Sequence, residues 1–64
     1  MRLKELRLQK GVTQKNVADA LHCSANVYAR YERGEREPDI ETLKLLSKYF
    51  SVSIDYILCN TDIM

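Results

Sequence analysis

Residues 13–34, TQKNVADALHCSANVYARYERG, decide how the rest of the chain is read. Val17, Ala18 and Leu21 recur at three and four residues, a helical and not a strand period. After Leu21-His22-Cys23, Ser24 offers a hydroxyl to cap a second helix, on which Tyr28 and Tyr31 share one face. Gly34 ends that helix. Two helices of seven to nine residues with three or four residues between them are too short to stand alone, so both must pack on their flanks.

The upstream flank supplies one support. Residues 2–10, RLKELRLQK, form a first helix with Leu3, Leu6 and, beyond its end, Val12 facing inward. Glu5 finds cations at helical spacing, a small contribution. Gly11 stops the helix, and Thr13 caps the next one, which runs over residues 14–21. That places Gln14 at a helix start, with its side chain and the free backbone N–H groups turned outward to form an anion site. His22 sits in the turn, where a left-handed conformation costs about 1 kcal/mol without glycine. The third helix, 24–33, keeps Ala25, Asn26, Ala29 and Arg30 for its outer or flanking faces.

The downstream flank supplies the rest. Pro38 disfavours helix at the residue before it, and Asp39 caps a fourth helix, 40–49, with an inner stripe of Ile40, Leu43, Leu46 or Leu45, and Phe50. Ser53 caps a fifth, 54–58, with Ile54, Ile57 and Leu58 apolar. Residues 51–57 alternate like a strand, but one strand has no partner in this chain. Residues 60–64 read as a frayed tail. The expectation is an all-α fold of five short helices in a single domain spanning 1–64, without repeat or linker.

The 64 residues are 45% hydrophobic and 30% charged, which excludes generic disorder. Net charge is only +1, but residues 1–36 hold eight Lys/Arg against four Asp/Glu, and residues 37–64 hold two Lys against five Asp/Glu. The N-terminal part is thus +4 and the remainder −3, a polarity that suits a face turned toward phosphates. Cys23 and Cys59 are too few for a disulfide framework or a zinc site and read as buried or half-buried thiols in a reducing compartment. With no signal-peptide pattern and no membrane-length apolar run, a cytoplasmic location is expected.

Short helices two and three joined by a tight turn form a helix-turn-helix, whose second helix fits the major groove of DNA. Asn26 carries the amide that pairs with adenine, and Arg30, one turn on, reaches guanine or phosphate. Ala25 and Val27 suit thymine methyl groups, Val27 being nearer the core. Lys10, Gln14, Arg33 and Arg36 are candidate phosphate contacts, which position a protein without choosing a sequence. For Lys10 and Arg36 an ordinary solvated charge is the competing reading. Arg7 and Glu32 sit at the less polar margins of their helices, where a pair would tie helix three to helix one. Tyr28 and Tyr31 are read as core and not as stacking platforms. His22 has no nucleophile beside it, the carboxylates form no acid/base pair, and neither cysteine has a histidine partner, so an enzyme is not expected.

The motifs LRLQKGVTQKNVADAL (6–21), CSANVYARYERGEREPD (23–39) and IETLKLLSKYFSVSIDYIL (40–58) closely resemble the phage-repressor type of helix-turn-helix domain, the lambda Cro/repressor and XRE-like family. The likeness covers residues 2–58. It implies a lambda-repressor-like five-helix fold with helix three in the major groove. It also implies that Gln14 contacts phosphate and braces the recognition helix, and that Ala25, Asn26 and Arg30, with Val27 near them, face bases. Residues 33–36 match a phosphate-contacting loop, and Arg7 and Glu32 match a salt-bridged pair. Members act as dimers on two-fold operators and repress transcription, with a dimer patch that here corresponds to Ser51, Ile54, Tyr56 and Ile57. Those residues alternatively complete the core. Two departures stand out: Ala25 replaces a glutamine common at the first reading position, and His22 replaces the glycine of the turn.

The leading expectation is therefore a sequence-specific double-stranded-DNA-binding regulator, a repressor without cofactor, metal, membrane or small-molecule ligand, acting as a homodimer. Two alternatives stand beside it. One is a protein-interaction module of antitoxin or anti-repressor type, which has no need of outward Gln14, Asn26 and Arg30. The other is a nonspecific DNA binder, which ordinarily carries a larger basic excess.

Overall fold

The computed structural model describes residues 1–63. Its helices are α1 (Leu3–Lys10), α2 (Gln14–Ala20), α3 (Ala25–Arg33), α4 (Ile40–Phe50) and α5 (Ile54–Ile57), and no strand occurs among the described residues. Four of the starts are capped by short polar side chains. Thr13, Ser24, Asp39 and Ser53 each accept a hydrogen bond from the backbone N–H three residues on. At α2 the cap is reciprocal, because the Asn16 side-chain oxygen accepts from the Thr13 backbone at 3.0 Å.

All five helices end in the same way. The first residue after the helix, or at α2 and α5 the second, turns left-handed, and the next backbone N–H reaches back five residues: Val12 to Arg7, Cys23 to Ala18, Glu35 to Arg30, Val52 to Ser47 and Asn60 to Asp55. The turning residues are Gly11 and Gly34, as the sequence suggests, and then His22 (φ 59°), Ser51 (φ 56°) and Cys59 (φ 64°). The turn at His22 is thus left-handed despite its side chain.

The core is Leu3, Leu6, Val17, Ala18, Leu21, Tyr28, Tyr31, Leu46, Val52 and Ile57, with Val12, Val27, Leu43, Tyr49 and Phe50 packed around it. α2 and α3 pack chiefly on each other, and α1 and α4 support the pair. Tyr28 and Tyr31 meet edge to face at 6.5 Å.

Several expectations need correction. Ile40 is 69% exposed. Taking Leu46 as the middle of the buried face, Leu43, Tyr49 and Phe50 fall within roughly 60° of it, whereas Ile40 and Leu45 point roughly 100° or more away. Ala29 is buried and not outward. Cys59 is exposed because it occupies the left-handed exit from α5. Residues 60–63 form no helix, as a tail would, although Asp62 pairs with Arg2 at 2.6 Å on the surface, and Met64 lies outside the described residues. Arg2 also lies 4.1 Å from the centre of the Tyr56 ring, and its backbone N–H donates to the Ile57 carbonyl.

Candidate nucleic-acid interface

Because Tyr28 and Tyr31 point α3 into the core, its opposite side is fixed by helical geometry. Asn26, Arg30 and Arg33, at i, i+4 and i+7, line that outer side and are all exposed. Ala25 is exposed beside them at the helix start, and Val27 is half-buried against the core. The stripe thus has one amide and two guanidiniums, donors suited to base edges and phosphates.

The end of this helix is anchored by Glu32, whose side chain is only 4% exposed. Arg7 on α1 donates through Nε to Glu32 Oε2 at 2.6 Å, and its Nη1 donates to the Val12 carbonyl at 3.2 Å. Gln14 on α2 donates its amide to Glu32 Oε1 at 3.1 Å. One carboxylate therefore joins three helices. Burial pushes the Glu32 carboxyl upward, but the hydrogen bonds from Arg7 and Gln14, with the nearby Tyr28 hydroxyl, outweigh it and hold its pKa below the usual glutamate value. The Tyr28 hydroxyl itself is buried without a hydrogen bond of ordinary geometry among the described residues. Burial first, and then the Glu32 carboxylate, keep the phenol in its neutral form.

The structure brings Arg7, Gln14 and Glu32 together and turns the Gln14 side chain inward as a brace, where helix-start geometry alone suggested an outward one. The other phosphate candidates are dispersed. Arg33 is paired with Glu35 on the surface, and the Arg36 guanidinium lies 6.0 Å from the Tyr31 ring centre. Lys10 lies 5.1 Å from the Tyr49 ring centre, on the seam between α1 and α4 and not on the α2–α3 pair. Of the four residues expected at a dimer patch, Ser51 is exposed, Ile54 and Tyr56 are half-buried, and Ile57 is completely buried. Ile57 is unavailable to a partner because it fills the core. The resemblance implied Gln14 as a brace without naming Glu32 as its acceptor, and sequence reasoning missed the Arg33–Glu35 pair and Asn16 as the cap partner. Only the last had a local signal, a polar residue three positions after Thr13.

The helix-turn-helix family signature matches residues 3–57. The chain belongs to this helix-turn-helix family. Its XRE-like motifs are those of the resemblance drawn from the sequence. It is similar to an uncharacterized HTH-type transcriptional regulator, YqaE, of Bacillus subtilis, with 48% identity over 56 residues, covering 88% of this chain and 48% of the relative. It is also similar to the HTH-type transcriptional regulator ImmR of the same species, with 44% identity over 62 residues, 97% of this chain and 49% of the relative. A third is the SPbeta prophage-derived uncharacterized HTH-type transcriptional regulator YonR, also of B. subtilis, 43% identical over 60 residues, 94% of this chain and 56% of that one. The chain spans about half the length of these relatives. No solved structure matches it. Among the described residues of this helix-turn-helix chain, no helix is long and apolar enough to cross a membrane, and no cluster of three or more His, Cys, Asp and Glu is placed to hold a metal ion.

Proposed function

We propose that this chain is the sequence-specific DNA-binding unit of a transcriptional repressor, working in the cytoplasm with α3 in the major groove of a two-fold symmetric operator. The observation that carries the reading is the exposed stripe Asn26, Arg30 and Arg33 on a helix whose end is fixed through Glu32 to both α1 and α2. A recognition helix must hold its side chains in register with base edges, and a three-helix anchor supplies that rigidity. The names of these three relatives, each a transcriptional regulator, support the regulatory part of this reading.

In this reading Asn26 and Arg30 read bases, Ala25 and Val27 add apolar contact, and Arg33 and Arg36 meet phosphates. The free N–H groups at the start of α2 meet another, with Gln14 as brace and Lys10 at the periphery. Residues 1–64 act as a single domain. Its longest extent is 29 Å. Half-sites lie about 34 Å apart, so one copy covers one half-site and a homodimer is needed for two. The dimer surface would centre on Ile54 and Leu45, which line an open groove between α5 and α4, with the exposed Ser51 as a further candidate, whereas Tyr56 lies against Arg2 and Ile57 fills the core.

The test is a fluorescence-anisotropy titration against the DNA upstream of the chain's own gene and against a scrambled duplex, at low and moderate salt. The reading requires at least about tenfold preference for the upstream duplex that survives added salt. Replacing Asn26 or Arg30 by alanine should then cost roughly 1–3 kcal/mol of discrimination. Equal, weak and salt-labile binding to both duplexes would refute specific readout.

A further inference from the structure

Glu35 is the charged residue among the five helix exits. At the exits of α1, α2 and α4 the equivalent residue is Val12, Cys23 or Val52, each buried or half-buried and packed on the core, which is the ordinary companion of this turn, and after α5 it is the exposed but uncharged Asn60. After α3 it is a glutamate, and its side chain is 55% exposed. Its backbone is pinned, because Gly34 turns left-handed and the Glu35 N–H donates to the Arg30 carbonyl at 2.9 Å. The carboxylate is thereby delivered to the outer side of the helix, where Oε2 accepts from Arg33 Nε. Arg33 belongs to the same i, i+4, i+7 stripe as Asn26 and Arg30. A carboxylate and a phosphate offer an arginine the same pair of acceptor oxygens, so the two compete for one fork of donors.

We propose that Glu35 is an internal phosphate mimic: in the free chain it occupies the guanidinium of Arg33, and DNA must displace it to gain that contact. The inference rests on the DNA-binding reading above. Displacement leaves an uncompensated carboxylate beside the phosphates, which lowers affinity and returns part of the counterion release that the Arg33 contact would otherwise contribute. The residue thus sets how tightly the chain holds DNA of any sequence.

The experiment measures anisotropy of a fluorescein-labelled scrambled duplex with the wild-type chain, Glu35→Gln, Arg33→Ala and the double variant, at salt concentrations from about 50 to 200 mM. Glu35→Gln should bind about fivefold tighter, the scale of an exposed ion pair, and steepen the dependence of log K on log salt by up to about one. In the Arg33→Ala background the same substitution should gain clearly less. No tightening, or an equal gain with and without Arg33, overturns the proposal, the latter because it reduces Glu35 to bulk charge. If the wild-type chain binds neither this duplex nor the upstream one, the DNA-binding reading itself falls, whereas wild-type binding with an unaltered Glu35→Gln affinity defeats the inference alone. Matching thermal melts of the four proteins establish that each is folded.

Discussion

Two arginine–glutamate pairs lie within a few residues of each other at the end of α3, and they do opposite things. Arg7–Glu32 joins residues 25 apart in the chain, with side chains 14% and 4% exposed, and Glu32 is further bonded to Gln14. Arg33–Glu35 joins near neighbours, with side chains 57% and 55% exposed. The ions are the same in kind; the surroundings differ. A buried charge that loses its partner cannot be rescued by water, so the first pair fixes geometry. Water and salt replace an exposed partner easily, so the second is free to exchange.

The largest effect should separate the two directly. Glu32→Ala strands the Arg7 guanidinium and leaves Gln14 without its acceptor, and it should lower unfolding stability by about 3 kcal/mol in urea titration. A double variant, Arg7→Met with Glu32→Leu, should lose much less, since it removes the need for pairing along with the pair. If the double variant is as unstable as Glu32→Ala, burial is not what distinguishes the pairs.

Acid should reveal the same contrast. Glu32 is held below its ordinary pKa in the folded chain, so the unfolded state binds protons more readily as pH falls. Its stabilisation is complete above the unfolded value of about 4.3 and is lost as pH drops through the folded value. Circular-dichroism melts between neutral and acidic pH should show this loss in the wild-type chain, and Glu32→Gln should flatten it. An identical acid profile in that variant would assign the loss to other carboxylates.

These contrasts also mark what was legible in the sequence. Helix periodicity, four side-chain caps and the two exit glycines are local signals, and they carry the five-helix architecture with little ambiguity. The inward face of α4 was harder, because Leu45 and Leu46 are both apolar and only packing on the other helices fixes which one faces the core. The Arg7–Glu32 pair was readable as two charges at apolar margins, whereas the role of Gln14 in it depends on how α2 crosses α3. Ile57 is a similar case: an apolar residue on a short terminal helix suits a core or an interface equally until the tertiary fold buries it. Arg33–Glu35 was invisible for another reason, since an i, i+2 spacing places no two side chains together within a helix. The left-handed turn at Gly34 brings them into contact.

The helix exits bring a smaller effect. His22 holds φ 59° with a full side chain, where Gly34 holds φ 76° without one. His22→Gly removes the steric penalty of the left-handed turn and gives back part of the gain as entropy in the unfolded chain, so stability should rise by up to about 1 kcal/mol in urea titration. A loss of stability would mean that the imidazole packs favourably enough to outweigh its backbone strain.

The smallest effect on folding should come from Glu35, and its smallness is the sharper half of the comparison. Glu35→Gln keeps the shape of the side chain, leaves the Gly34 turn and the N–H bond to Arg30 intact, and removes a charge whose partner is already solvated. The thermal midpoint should match that of the wild-type chain within measurement scatter at moderate salt, even while DNA affinity changes. A folding loss approaching that of Glu32→Ala would place Glu35 among the anchors of the helix. It could not then be a contact that DNA displaces, because a carboxylate required for the fold is unavailable for exchange.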